Sequence, residues 1–193
     1  MLSVSGLTGY QVNASEEQKH LDILFTHDLH SHLNSFQTIV DGTQQETGGF
    51  ARLKTLINEH EKENTDTLIL DGGDFSMGTL IQTVYDTEAA ELRMLGYLGC
   101  DVTTLGNHEF DYGSDGLADM LNAAVSSGEN LPRMVVCNVD WDAMKKAGFS
   151  EGQKQIYEAF QTYGVKDYTV IQKGDVKICL LYTSPSPRDP KTS

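Results

Sequence analysis

Short apolar runs alternate with helical patterns along the first two thirds of the chain, and this alternation restricts the possible fold classes. The predicted strands cover residues 21–26, 67–70, 102–105 and 134–139. The predicted helices cover residues 50–63, 87–98 and 114–127. Thr87 is the expected N-cap of the second helix, and Gly99 its expected stop. This order predicts an α/β fold with a largely parallel sheet packed against helices. Two further strands, 168–172 and 176–181, form a predicted hairpin.

A polar motif follows each of the first three predicted strands. The motifs are Asp28-Leu29-His30, Gly73-Asp74 and Gly106-Asn107-His108-Glu109. Ligands of open α/β sheets bind beyond the carboxyl ends of the strands, so we expect these side chains to converge. Asp, His and Asn together suit a divalent metal with oxygen and nitrogen ligands. A site of that kind typically carries out hydrolysis.

Each motif taken alone also has a plainer interpretation. His30 lies on a predicted exposed loop with two other histidines, Asp74 follows glycine as turn residues often do, and His108 fits a turn histidine. In the functional interpretation, the two oxygens of Asp74 can bridge two cations. Asp111 is then well placed to orient the imidazole of His108. The occurrence of all three motifs in order favours the metal site.

The formal charge of −14, from 28 acidic and 14 basic residues, limits the partners of the chain. Sequence-independent binding of nucleic acid needs a basic face, so we expect no binding to duplexes. An anionic membrane surface is disfavoured for the same reason. No apolar run reaches the length of a transmembrane helix.

The stretches DLH, GGD and GNHEFDYG resemble the calcineurin-like metallophosphoesterases. Within that superfamily the chain is similar to the secreted branch of 5′-nucleotidases and 2′,3′-cyclic-nucleotide phosphodiesterases. LGNHEFDYG is the most specific stretch, and GGFAR and DGGDFSMGT are also typical. The resemblance covers residues 21–178. It implies a fold of two packed sheets flanked by helices, of which this chain would hold an incomplete N-terminal part.

The resemblance implies a hydrolase with two divalent metal ions (Mn, Zn, Fe or Co) that acts on a phosphate ester, most typically a nucleotide. Asp28 and His30 would hold the first metal. Asp74 would bridge both metals, and Asn107 would bind the second. Two such ions lie about 3.5–4 Å apart, generate hydroxide and hold the phosphate for in-line attack.

The same resemblance gives His108 and Asp111 the catalytic roles. His108, oriented by Asp111, would stabilise the transition state or help the leaving group depart. The family draws further histidine ligands from a later segment, whereas no histidine follows His108 in this chain. The resemblance also implies a C-terminal domain, by which the nucleotidase branch holds base and ribose, and we expect this chain to lack it. We therefore expect weak binding of the second metal and poor activity of the chain as given.

The two ends of the chain differ in composition from its centre. Residues 1–14 are predicted to be the remnant of a signal peptide, because Val12-Asn13-Ala14 has the small-x-Ala form of a cleavage site. This predicts an extracytoplasmic location. Residues 15–180 form the predicted part of the metallophosphoesterase domain. Residues 181–193, which include TSPSPRDPKTS, are predicted to be a non-native tail.

Two other functions stay open at this point. A metallophosphoesterase-like module that binds phosphate or metal without turnover would agree with the missing histidines. Loss of turnover on substitution of Asp74 would separate the enzyme from this module. A barrel amidohydrolase would explain His30-Ser31-His32, but that fold predicts later histidines and leaves GNHE unexplained.

Overall fold

A computed structural model describes residues 20–64 and 66–184. The predicted signal-peptide remnant therefore lies outside the described residues. The strands are β1 (Ile23–Thr26), β2 (Phe36–Val40), β3 (Thr43–Thr47), β4 (Leu68–Asp71), β5 (Val102–Thr103), β6 (Arg133–Met134), β7 (Tyr168–Lys173) and β8 (Val176–Leu181). The α-helices are α1 (Phe50–Glu63), α2 (Tyr85–Glu88), α3 (Ala90–Leu98), α4 (Gly113–Ser126), α5 (Trp141–Ala147) and α6 (Glu151–Tyr163). Short 3₁₀ turns cover Leu80–Val84 and His108–Phe110.

The centre of the fold is a four-stranded parallel sheet in the order β1-β4-β5-β6. Alternate residues of β4 face opposite sides, as the two-residue period of a strand requires. Ile69 belongs to a core shared with the helices. Leu68 lies on the other face, in a second cluster that contains Val102, Val135 and, from the β7–β8 hairpin, Ile171. The parallel sheet therefore has helices on one face and the β7–β8 hairpin on the other. This confirms the predicted α/β fold class.

The structure changes several predicted boundaries. Helices α1 and α4 agree with prediction to within one residue, and the β7–β8 hairpin is confirmed. Strands β5 and β6 are only two residues long and thus shorter than predicted. The β2–β3 hairpin and the helices α5 and α6 are present but were not predicted from the sequence. Within the described part, none of the helices is long and apolar enough to cross a bilayer.

The predicted N-cap at Thr87 is wrong. Thr87 lies inside α2, and α3 begins at Ala90 after a left-handed Ala89 with φ of 47°. This break accompanies complete burial of Tyr85, whose hydroxyl donates to the backbone oxygen of Glu109 over 2.7 Å. Burying a large aromatic side chain with its hydroxyl satisfied stabilises more than a single cap.

The end of β8 crosses the predicted boundary at residue 180. β8 continues to Leu181, and the Ser184 hydroxyl donates to the backbone oxygen of Leu105 over 2.7 Å. Ser184 is only 6% exposed. Residues up to 184 therefore pack on the described domain, whereas residues 185–193 lie outside the described part. The non-native origin of residues 181–193 stays a prediction.

Candidate metal centre

The three motif loops continue the hydrogen-bonding pattern of the sheet beyond its strands. Past the end of β1, the amide of Asp28 donates to Gly73 O (3.1 Å), and the amide of His30 donates to Asp74 O (3.1 Å). The loop after β5 joins them, because the amide of His108 donates to Asp74 Oδ1 over 2.8 Å. The motif residues are therefore brought together at the carboxyl edge of the sheet, as the sequence predicts.

The backbone of this edge is held in an unusual conformation. Asp28, His30, Ser31 and Asp74 all have positive φ, between 47° and 54°. Left-handed backbone costs roughly 1 kcal/mol or more for a residue with a side chain, and it concentrates at functional sites. The hydrogen bonds between the loops hold these residues in place, so the side chains of Asp28, His30 and Asp74 are directed to one region.

Asp28 and His30 form the first part of the site. His30 Nε2 lies 3.8 Å from Asp28 Oδ1, while His30 Nδ1 is 2.9 Å from the backbone oxygen of Met77. A carbonyl partner places the proton on Nδ1 and leaves the Nε2 lone pair directed towards Asp28. A hydrogen bond of 2.7 Å from His27 is the main cause that lowers the pKa of the Asp28 carboxyl. Asp28 is therefore ionised and can act as a ligand.

Asp74 and Asn107 form the second part. In one orientation of its amide, the Asn107 nitrogen donates to Asp74 Oδ2 over 3.2 Å. In the other orientation the amide oxygen faces that carboxylate oxygen, and no proton lies between them. A cation between two such oxygens would stabilise the second orientation. Asp74 also lies close enough to Asp28 to contribute to the lowered pKa of the Asp28 carboxyl.

His108 and Asp111 form the pair that the resemblance implies. His108 Nδ1 lies 2.8 Å from Asp111 Oδ2, and this hydrogen bond is the largest cause that raises the pKa of His108. The bond occupies Nδ1 and leaves Nε2 as the nitrogen available to a substrate. The His108 ring meets the His30 ring edge-on, with centroids 5.0 Å apart. His108 therefore lies beside the first part of the site.

Two buried carboxylates near the site were missed by sequence reasoning. Glu109 is 0% exposed and accepts hydrogen bonds from both the Asp74 loop and the Gly106 loop. Burial is the largest cause of its raised pKa. Glu91 on α3 is also 0% exposed, and the Ser31 hydroxyl donates to it over 2.6 Å. Glu109 is the last residue of the GNHE motif, which could have drawn attention to it. No local sequence pattern indicates that Ser31 pairs with Glu91, which lies 60 positions away.

The side chains suit a divalent cation in their chemistry, but they do not complete its coordination shell. Carboxylate, imidazole and amide donors from Asp28, His30, Asp74 and Asn107 are those that Mn, Fe, Co or Zn accept. In residues 20–64 and 66–184, no three His, Cys, Asp or Glu side chains are gathered as a ready-made metal cluster. The residues therefore fit part of a metal centre, and further ligands or a small adjustment would be needed to close it.

Known proteins resemble this chain in sequence. A 5′-nucleotidase of Rattus norvegicus is 44% identical over 107 residues, which cover 52% of this chain and 18% of that protein. An NAD 5′-nucleotidase of Haemophilus influenzae is 31% identical over 125 residues, which cover 63% of this chain and 21% of that protein. The chain thus corresponds to about a fifth of the length of these relatives.

Solved structures resemble the fold. The 5′-nucleotidase precursor of Thermus thermophilus superposes with a TM-score of 0.66 at 26% identity, over 84% of this chain and 28% of that chain. The NAD nucleotidase of Haemophilus influenzae superposes with a TM-score of 0.62 at 25% identity, over 85% of this chain and 26% of that chain. Residues 21–183 match the family described as calcineurin-like phosphoesterase. Because this match covers most of the chain, the protein belongs to the calcineurin-like phosphoesterase family.

Proposed function

We propose that this chain is part of a metal-dependent phosphoester hydrolase that acts on nucleotides. The observation that carries the proposal is the convergence of Asp28, His30, Asp74 and Asn107 at one edge of the sheet. Family membership and relatives named 5′-nucleotidase support the reaction and the substrate class. Two divalent cations held by these residues would supply Lewis-acid polarisation of the phosphoryl group and a nucleophile at neutral pH.

The residues of the chain perform the other steps. His108 offers Nε2 to the phosphoryl group or to the leaving oxygen, because its Nδ1 is bonded to Asp111. The raised pKa of His108 keeps more of the imidazole protonated near neutral pH, as stabilisation of developing negative charge requires. Asp111 thereby orients the ring and stabilises its charge.

Release of inorganic phosphate from AMP tests this function. The full-length protein that contains this chain is treated with EDTA and assayed with and without added Mn²⁺, beside the variant Asp74→Asn. Substituting partners of metal ligands typically weakens metal affinity or activity 10-fold to 100-fold, so substitution of a ligand should reduce phosphate release by at least about 100-fold. Asp119→Asn, on an exposed position of α4, serves as the matched control and should keep the rate. Phosphate release that is insensitive to both EDTA and Asp74→Asn would contradict the proposal.

A phosphate- or metal-binding module without turnover is the second candidate. It is favoured by the small number of donors, Asp74 and Asn107, available to a second metal in the described part. In the same assay, this candidate predicts that Mn²⁺ binds while no phosphate is released. The open sheet and the family match disfavour the barrel amidohydrolase.

We also propose an extracytoplasmic location. Its support is the small-x-Ala form of Val12-Asn13-Ala14 and the likeness to the 5′-nucleotidase precursor of Thermus thermophilus. Cell fractionation with an antibody against the chain tests this location. Recovery in the cytoplasmic fraction alone would contradict it.

A further inference from the structure

Glu109 occupies a position between two of the ligand-bearing loops. Its side chain points inward from the 3₁₀ turn His108–Phe110 and is fully buried. Its Oε2 accepts hydrogen bonds from the amides of Asp74 (3.0 Å) and Gly106 (2.7 Å). Its Oε1 accepts from the amide of Ser76 (3.1 Å) and from the Ser76 hydroxyl (2.8 Å). Both carboxylate oxygens are thus used twice.

The groups that donate hydrogen bonds to Glu109 come from two different loops. Two of the three backbone amides belong to the loop after β4, and the third belongs to the loop after β5. Asp74, one of the donors, returns the contact, because its Oδ1 accepts from the His108 amide over 2.8 Å. The two loops are therefore joined in both directions, by Glu109 and by Asp74.

The glycines of the motifs permit this close approach. A Cβ on Gly73 would collide with the amide nitrogen of Gly106, and a Cβ on Gly106 would collide with the Asp74 carboxylate. A larger residue at either position would separate the loops and break the contacts of Glu109. The close packing of the two loops and the buried carboxylate therefore depend on each other.

The carboxylate at this position does more than fill space. Burying it is costly unless its charge is matched by hydrogen bonds, and an apolar side chain would avoid that cost only by leaving three backbone amides without their acceptor. A carboxylate that accepts from four donors on two loops instead specifies their relative position. We propose that Glu109 is a positioning residue that fixes Asp74 relative to Asn107 and His108. Its consequence for metal binding rests on the function proposed above.

The variant Glu109→Gln tests this inference with little change of shape. A glutamine must direct its NH₂ group at one of the two donor pairs, and each pair contains a backbone N–H. Tyr163→Phe is the matched control. It removes a hydrogen bond of 2.7 Å to Pro132 O, just before β6 at the opposite edge of the sheet.

Two readouts separate positioning from general stability. The first is Mn²⁺ affinity by calorimetry, which should fall about 10-fold to 100-fold in Glu109→Gln and stay within about 2-fold in Tyr163→Phe. The second is hydrogen exchange of the His108 amide, which bonds to Asp74 and not to Glu109. Its exchange should be at least about 10-fold faster in Glu109→Gln than in Tyr163→Phe, when each variant is measured at the same interval below its own melting temperature.

The outcomes are distinguishable. Unchanged exchange of the His108 amide in Glu109→Gln overturns the positioning role, whether or not metal binds. Failure of the unsubstituted chain to bind Mn²⁺ overturns the proposed metal centre, and the exchange data still decide the role of Glu109. If Glu109→Gln does not fold, Ser76→Ala is measured instead, because it removes one of the four donors and should change both readouts in the same direction by less.

Discussion

Ser31→Ala tests how the His30–Ser31 turn is held to the helices. The Ser31 hydroxyl donates to Glu91 Oε1 over 2.6 Å, and both residues are 0% exposed. Within the described part of the chain, the other carboxyl oxygen of Glu91 has no hydrogen-bond partner. Among the described residues, Ser31→Ala therefore leaves the buried Glu91 carboxyl group without a hydrogen-bond partner.

The magnitude follows from the burial. Leaving a buried polar group without its hydrogen bond costs about 1–3 kcal/mol, and we expect a loss of about 2 kcal/mol in the free energy of unfolding for Ser31→Ala. For a domain of this size, that loss corresponds to a melting temperature lower by roughly 4–8 °C. Circular dichroism during thermal unfolding measures the shift.

Two further variants make the test specific. Thr55→Ala removes an exposed hydroxyl that donates to Ala51 O on α1, and it should change the free energy of unfolding by less than about 0.5 kcal/mol. Ser31→Ala combined with Glu91→Met replaces both polar partners, so most of the lost stability should return. A melting temperature of Ser31→Ala within about 1 °C of the unsubstituted chain would refute the reasoning, as would additive losses in the double variant.

Two more predictions concern His108 and α3. Asp111→Asn should lower the pKa of His108, followed by NMR titration of the imidazole, because it removes the largest cause of the raised value. A raised pKa contributes stability that is fully present below the unfolded value of about 6.5 and is lost as the pH rises through the folded pKa, so the stability deficit of Asp111→Asn should be largest at acidic pH. An unchanged titration would contradict this. Gly96→Ala should lower the free energy of unfolding in urea titration by about 1–3 kcal/mol, although alanine favours helices, because its Cβ would collide with the backbone oxygen of Asn130. A stabilised variant would show that α3 can shift away from this contact.

Local pattern was sufficient for the elements whose signals are local. The apolar spacing of residues 50–63 predicts α1 because its inward face is continuous, with Phe50 and Ile57 buried. Two missed elements also had local signals. Asp41-Gly42, both with positive φ, is the typical turn pair of a two-residue hairpin such as β2–β3. Ser150 and Gln153 form a capping box at the start of α6.

Features that depend on tertiary contact could not be predicted in this way. The start of α3 is set by the burial of Tyr85 and not by the polar residue at position 87. For the site, the motifs identified which residues converge, because strand order and parallel direction determine which loops are neighbours. The buried partners of these loops were not predictable, because Glu91 contacts Ser31 from a distant helix.

The short strands of the central sheet raise the question of how the site is kept rigid. β5 and β6 have two residues each, too few to fix a loop by ladder hydrogen bonds alone. Rigidity comes from the loops themselves, because the ladder between β1 and β4 continues through the amides of Asp28, His30 and Ser31 beyond both strands. Two buried carboxylates, Glu91 and Glu109, then tie these loops to α3 and to each other. A site held to within a fraction of an ångström needs such supporting contacts, and here they lie in the loops rather than in longer strands.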